Sequence, residues 1–337
     1  MKQVSPFLQS LPALRGFLKD NSAEVEEIIH RARNSNPWFI PEFSKLAIDA
    51  ITDEFLDQQK VKDWIAAYPV GDKKLNIAIV MAGNLPLVGF HDLLCVLAAG
   101  HKALIKCSEK DSVLLPWLTQ QWTRIAPELG SSIQYVDRFE GHDAVIATGS
   151  NNSSRYFEYY FRSHPHILRK NRNGVAVLTG EESLDELKLL GNDIFQYFGM
   201  GCRSVSKLYV PEGYDFELFE EAIVGWKHLE DHHKYKNNLE YNFAIFIINQ
   251  VPHIQLDHLI LKDDESIASR IGCLHYSYYK DVASLEQMLN QKKDEIQCVV
   301  SGIPLNNWDH VHFGESQHPH LNQYADGVDT MTFLTSL

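Results

Sequence analysis

Residues 75–110 read LNIAIVMAGNLPLVGFHDLLCVLAAGHKALIKCSEK. The opening run LNIAIVMA is apolar nearly throughout instead of alternating, which predicts a parallel strand buried on both faces. The turn GNLP follows it. Phe90, Leu93, Leu94, Leu97 and Ala98 then fall on one face of a helix, and Gly100 stands where a left-handed cap is wanted. KALIKC is a second strand. Strand, helix and strand within about 35 residues make a βαβ unit, whose crossover makes the two strands parallel.

The same alternation continues on the C-terminal side. Helix LLPWLTQQWTRIA, strands SIQYV and AVIAT and helix SSRYFEYYF complete one doubly wound lobe, and a polar, basic segment, HILRKNRNG, follows. A second alternation then starts with strand VAVL, helix LDELKLLGNDIFQYF, strand KLYV and helix DFELFEEAIVGW, and YNFAIFII, CLHYSYY and IQCVVSG read as further strands. Upstream, AEVEEIIHRARNS and PEFSKLAIDAITDEFLDQQKVKDWIAAY have helical apolar spacing broken by Pro37, Pro41 and Pro69. The expected fold is α/β: two doubly wound lobes with an N-terminal helical segment. The expected divisions are helices over 1–70, a first α/β lobe over 71–172, a second α/β lobe over 173–303, and a tail over 304–337 that packs back on the lobes.

Composition narrows the function classes. With 337 residues and 45% apolar content the chain can fill two cores. Acidic residues outnumber basic ones 44 to 31, and a net charge of −13 argues against a general nucleic-acid binder. The N-terminal stretch lacks a signal-peptide core and cleavage site, and no stretch approaches the roughly 20 apolar residues of a membrane span. Cysteines 95, 107, 202, 273 and 298 stand singly and are odd in number, which predicts free thiols and a reducing, cytoplasmic setting.

Several short constellations can carry chemistry. Asn84 follows the first strand at the edge where open α/β sheets bind ligands, and is either an oxyanion donor or a turn former. Lys106 and Glu109 end the second strand, either as ribose or phosphate contacts or as a solvated pair. Thr148, Gly149 and Ser150 precede a helix, where free backbone N–H groups can meet a pyrophosphate, although a serine N-cap needs no ligand. FGMGCR places Cys202 after two glycines and beside Arg203, as an accessible nucleophile or a structural thiol. The histidine groups at 232–233, 310–312 and 318–320 have neither paired CxxC nor HExxH spacing, so no metal is expected.

Taken in order, these pieces resemble the aldehyde dehydrogenase superfamily, most closely its acyl-CoA reductase branch, typified by the fatty acid reductase of bacterial luminescence systems. The likeness runs from about Leu75 to Val210 and more loosely to the end. AGNLPLVGFHDLLCVLAAGHKALIKCSEK resembles the family segment with its oxyanion Asn and Lys-x-x-Glu cofactor strand. ATGSNN is similar to the turn that meets the cofactor phosphates. FGMGCRSVSKLYVP is similar to the Gly-Gln-x-Cys nucleophile motif, with Met200 where Gln is usual, and FGESQHPHLNQYADGVDTMTFL to the closing FGG segment. Two departures stand out. Leu168 falls at the position of the Glu that activates hydrolytic water in aldehyde oxidisers, and Ser269 at that of the ribose-binding Glu.

The resemblance implies reduction of an acyl-CoA, expected to be a fatty acyl thioester, to an aldehyde through a covalent acyl group on Cys202. The Asn84 amide and the Cys202 N–H would hold the oxyanion. Lys106, Glu109, Gly149 and Ser150 would hold the cofactor, NADPH with NADH as the alternative. Arg162, Arg169, Lys170 and Arg172 are candidates for the CoA phosphates, or else a solvated basic turn. A homodimer is the candidate assembly. The alternatives kept open are an acyl phosphate reductase and a noncatalytic scaffold of the same fold.

Overall fold

The computed structural model describes residues 5–69, 71, 73–149, 151–306, 308 and 310–337, with backbone alone at 151–154. The helices in chain order are α1 (Pro6–Asp20), α2 (Ser22–Ser35), α3 (Pro41–Ala50), α4 (Gln58–Ala66), α5 (Phe90–Ala98), α6 (Leu114–Ile125), α7 (Asn151–Phe161), α8 (Leu184–Phe195), α9 (Glu217–Ile223), α10 (His233–Ile248), α11 (Val282–Gln291) and α12 (Thr330–Thr335). The strands are β1 (Asn76–Val80), β2 (Lys102–Lys106), β3 (Ile133–Tyr135), β4 (Ala144–Thr148), β5 (His166–Arg169), β6 (Asn173–Val177), β7 (Val205–Pro211), β8 (Ile254–Gln255), β9 (Ile260–Asp263), β10 (Cys273–Tyr279), β11 (Ile296–Ser301) and β12 (His310–Val311). They form two compact units, one of residues 1–170 with 320–337 and one of residues 171–319. No helix among the described residues is long and apolar enough to cross a membrane.

The first unit is built on a five-stranded parallel sheet in the order β3-β2-β1-β4-β5. Its apolar runs are explained by burial on both faces: Ile77, Ile79, Ala103, Ile105 and Ile146 join a core with α1, α2, α5 and α6, while Ala78, Val145 and Ala147 face Phe157, Phe161 and Leu168. Each fully buried isoleucine contributes roughly 1.5–3 kcal/mol. Gly100 takes φ +83° after α5, the left-handed stop its position calls for. Residues 320–337 close this unit: Tyr324 Oη accepts from Trp64 Nε1 at 2.8 Å, and His101 Nε2 lies 3.0 Å from the Leu334 carbonyl.

The second unit holds a seven-stranded sheet in the order β12-β11-β6-β7-β10-β9-β8, parallel throughout except for β8 against β9. α8 and α11 each begin with a reciprocal capping box, Ser183 with Glu186 and Asp281 with Ser284.

Two elements differ from the sequence expectation. YNFAIFII is the end of helix α10, not a strand. Its buried residues, Tyr235, Leu239, Asn242 and Phe246, follow helical spacing, while Tyr241, Ile247 and Ile248 are exposed. An eight-residue apolar run alone does not separate the two periods, and the deciding residues lie upstream of it. HILR is strand β5, whose Leu168 pairs in register with Ala147.

Candidate active site

In the first unit the sheet reverses its winding between β1 and β4, the switch point at which open α/β sheets bind ligands beyond their carboxyl ends. Val80, Lys106 and Ala147 are in register there, so the loops after β1, β2 and β4 leave from one edge. Asn84 lies half-buried in the first loop. That loop is drawn tightly against its neighbour: a Cβ on Gly83 would lie 2.6 Å from Ser108 Cβ. Leu87 adopts φ +57° and donates its N–H to Asp111 Oδ2 at 2.8 Å. Lys106 and Glu109 are exposed at the end of β2 and in the turn after it, and Gly149 follows β4 half-buried. Ser150 lies outside the described residues. Thus Asn84, Lys106, Glu109 and Gly149 share one sheet edge.

The same unit places Leu168 among Ala78, Val145, Ala147, Val80 and Phe157. An apolar side chain in an apolar cluster occupies the position where the resemblance put a hydrolytic carboxylate. The basic residues near it in the sequence each have partners of their own. Arg169 is buried, with Nη1 2.5 Å from Asp92 Oδ2 and Nη2 donating to Thr330 Oγ1 at 2.9 Å. It is therefore neither solvated nor a ligand for phosphate. Lys170 pairs with exposed Glu158 at 3.3 Å, Arg162 lies over the Tyr159 ring, and Arg172 donates to the Ile296 carbonyl at 3.4 Å.

In the second unit α8 ends in a strained turn. Tyr197, Phe198 and Gly199 are left-handed in succession, at φ 55°, 57° and 70°, and each such non-glycine residue costs on the order of 1 kcal/mol or more. Buried packing holds them, with the Phe198 ring 4.6 Å from His232 and 5.9 Å from Tyr235. Cys202 follows, half-buried, in a turn closed by Ser204 N–H to Gly201 O at 3.1 Å and by Gly201 N–H to Ser204 Oγ at 3.1 Å. The loop lies against the amino end of β6, where a Cβ on Gly174 would lie 2.5 Å from the Arg203 carbonyl oxygen. Arg203 Nε donates to the Ser316 carbonyl at 2.5 Å.

The other four cysteines behave as structural thiols. Burial raises Cys95 strongly, and pushes Cys107, Cys273 and Cys298 up to about 11. Cys107 Sγ also donates to the Asp111 carbonyl at 3.0 Å. Ser269 donates its hydroxyl to the Cys273 carbonyl at 2.7 Å and lines a water-sized cavity of about 20 Å³ with Phe198, Gly199 and Arg270.

No family model and no curated protein sequence matches this chain. Solved structures do match. An oxidoreductase from Marinobacter aquaeolei superposes with a TM-score of 0.68 at 11% identity, over 93% of this chain and 78% of the other. A betaine aldehyde dehydrogenase from Staphylococcus aureus in complex with NAD+ gives 0.64 at 12%, over 89% and 71%. Aldehyde dehydrogenase 21 from Physcomitrella patens, in complex with the reaction product succinate, gives 0.63 at 12%, over 88% and 72%. The fold is that of the aldehyde dehydrogenases.

On this aldehyde dehydrogenase fold, Asn84, Lys106, Glu109 and Gly149 belong to the first unit, while Cys202 and Ser269 belong to the second. Sequence reading missed three features that fix the loops. Gly174 is needed for close approach to Arg203, Asp111 holds Leu87, and Asp193 accepts the N–H groups of Gly314 and Ser316 at 2.6 and 2.8 Å. The only prior signal for the last was the likeness of FGES to the closing segment. Among the described residues no group of three or more His, Cys, Asp or Glu is gathered as a metal site.

Proposed function

We propose that this chain catalyses NAD(P)H-dependent reduction of an acyl-CoA thioester, fatty acyl by resemblance, to the aldehyde through an acyl group on Cys202. The observation that carries this reading is Leu168, an apolar residue packed among apolar neighbours at the position that the resemblance gives to the hydrolytic base. An acyl-enzyme without a general base lacks the roughly 10²- to 10⁴-fold assistance such a group gives to water. It therefore survives for a reductive or thiol acceptor.

The residues at the carboxyl edge of the first sheet suit a dinucleotide. Lys106 offers an exposed cation, Glu109 an exposed carboxylate, and Gly149 the approach to a helix start. When bound, a reduced nicotinamide supplies the hydride that releases the acyl group as aldehyde. The chain's own part is to present the Cys202 thiolate to the acyl carbonyl. A carbon–sulfur bond forms, and the CoA thiolate leaves with the electron pair of the bond it loses. The Asn84 amide and the Cys202 N–H are assigned to the oxyanion of the intervening tetrahedral species.

Mass spectrometry of the intact protein after incubation with a panel of acyl-CoA esters tests this reading. One acyl mass, mapped to Cys202 and absent from Cys202→Ala, is expected. Absence of any adduct, or an adduct unchanged in Cys202→Ala, refutes the assignment.

A further inference from the structure

The loops that carry Asn84 and Cys202 share a feature that the reaction above does not use: each is tied down by a buried carboxylate. In the first unit Asp111 is 3% exposed, and its Oδ2 accepts the N–H of Leu87, three residues after Asn84. Gly83, on the other side of Asn84, abuts the same turn, since a Cβ there would lie 3.1 Å from the Asp111 nitrogen. Asn84 is therefore flanked by two contacts to one short turn.

In the second unit Asp193 is fully buried near the end of α8 and accepts from Gly314 and Ser316. Those residues belong to a closing segment that grips the nucleophile loop on both sides of Cys202. The Ser316 carbonyl accepts from Arg203 Nε. Gln317 Nε2 donates to Ser204 Oγ at 3.1 Å, and the same hydroxyl accepts the Gly201 N–H. From Asp193 the restraint thus runs through residues 314–317 to Gly201, Arg203 and Ser204.

We propose that Asp111 and Asp193 are positioning residues, the first holding the Asn84 loop and the second the Cys202 loop in the geometry that acyl transfer requires. The proposal rests on reading Cys202 as the nucleophile and Asn84 as the oxyanion donor. Neither carboxylate touches the reacting atoms; each acts through backbone N–H groups. An ionised carboxylate accepts from N–H about twice as strongly as a neutral acceptor, which gives the charge a use at a buried position.

The charge is also held at a cost in stability. Burial pushes both carboxyls up to about 6, against the lowering effect of the N–H groups they accept from. Facing Asp193 are Glu315 on the closing segment and Cys298 on β11, and Cys298 in turn faces Arg203 and Cys202 on the loop. Facing Asp111 are Cys107 and Tyr135, both raised by burial. With folded values above the ordinary carboxylate value, these two groups favour the fold more as pH falls through about 6 towards 4. A structural role alone therefore predicts no loss on the acid side from them, whereas positioning predicts falling turnover there.

Asp193→Asn and Asp111→Asn in the full chain test the proposal by three readouts: steady-state reduction across pH 5–8, the rate of Cys202 alkylation by iodoacetamide, and thermal melting. Each variant is expected to stay folded and to lose kcat by about 10²-fold with KM little changed, as for reacting groups displaced by about an ångström. The acid limb near pH 6 in wild type should flatten. Alkylation needs no substrate, so it reads the loop even if no thioester is reduced. It should change in Asp193→Asn and stay at the wild-type rate in Asp111→Asn. Wild-type kcat and alkylation rate in a folded Asp193→Asn would overturn the proposal for that loop, and wild-type kcat in Asp111→Asn would do so for the other. Should Asp193→Asn not fold, Arg203→Lys removes the Nε donor to Ser316 without altering Asp193. A changed alkylation rate in that variant supports the restraint, and an unchanged one overturns it.

Discussion

Replacing Gly174 by alanine puts one methyl group where the fold leaves no room, and the obstacle is the nucleophile loop itself. The new Cβ would lie 2.5 Å from the Arg203 carbonyl oxygen and 3.1 Å from both the Arg203 carbonyl carbon and the Ser204 oxygen, while ordinary contact begins at 3.4 Å. The first gap is about 0.9 Å short, and all three obstacles are backbone atoms that no rotamer change can clear. Either β6 or the loop must shift. The expected stability loss is about 1–3 kcal/mol, typical of overpacking. The expected kcat loss is about 10²-fold, because the displaced peptides adjoin Cys202. Gly225→Ala is the control, since a Cβ there meets nothing within 4 Å. Urea denaturation, acyl-CoA reduction and iodoacetamide labelling of Cys202 are measured on all three proteins. A Gly174→Ala protein with wild-type turnover and labelling would refute the claim that β6 sets the position of the loop.

Asn84→Ala should lower kcat by about 10²-fold or more with chemistry rate-limiting, as for other oxyanion donors; unchanged turnover would make Asn84 a turn former. Asp92→Ala leaves the Arg169 guanidinium buried without its carboxylate, 2.5 Å away in the native pair, and should cost about 3–5 kcal/mol in urea denaturation. A loss under about 1 kcal/mol would contradict that pairing. Iodoacetamide at pH 7.5 should modify native protein at Cys202 first, because burial holds the other four thiols protonated; peptide mapping that finds Cys107 or Cys298 modified first would contradict it.

The fold was most legible where local pattern and tertiary role agree. LNIAIVMA and KALIKC are apolar because both sheet faces are covered, and Gly100 is left-handed because α5 must stop there. YNFAIFII misled because its outward residues Tyr241, Ile247 and Ile248 are apolar, so composition masked the helical period carried by Tyr235 and Leu239. The loops after β1, β2 and β4 and the turn that carries Cys202 could be placed from the sequence, since glycines and a cysteine near strand ends carry a local signal. What holds those loops could not. Asp193 meets its partners 121 and 123 residues away, and Arg169 meets Asp92 across 77. Nothing in the sequence around Arg169 distinguishes a buried ion pair from a solvated basic turn.

On the proposed function, an acyl group on Cys202 waits for a reductant because Leu168 supplies no base to activate water. The most direct measurement is the fate of that acyl group in wild-type protein. With acyl-CoA and NADPH, the products should be aldehyde and CoA, and without a reductant the adduct should hydrolyse slowly and return acyl-CoA when free CoA is added. Rapid conversion of aldehyde and NAD(P)+ to free carboxylic acid, with neither CoA nor phosphate present, would contradict the account and make the protein a hydrolytic aldehyde dehydrogenase.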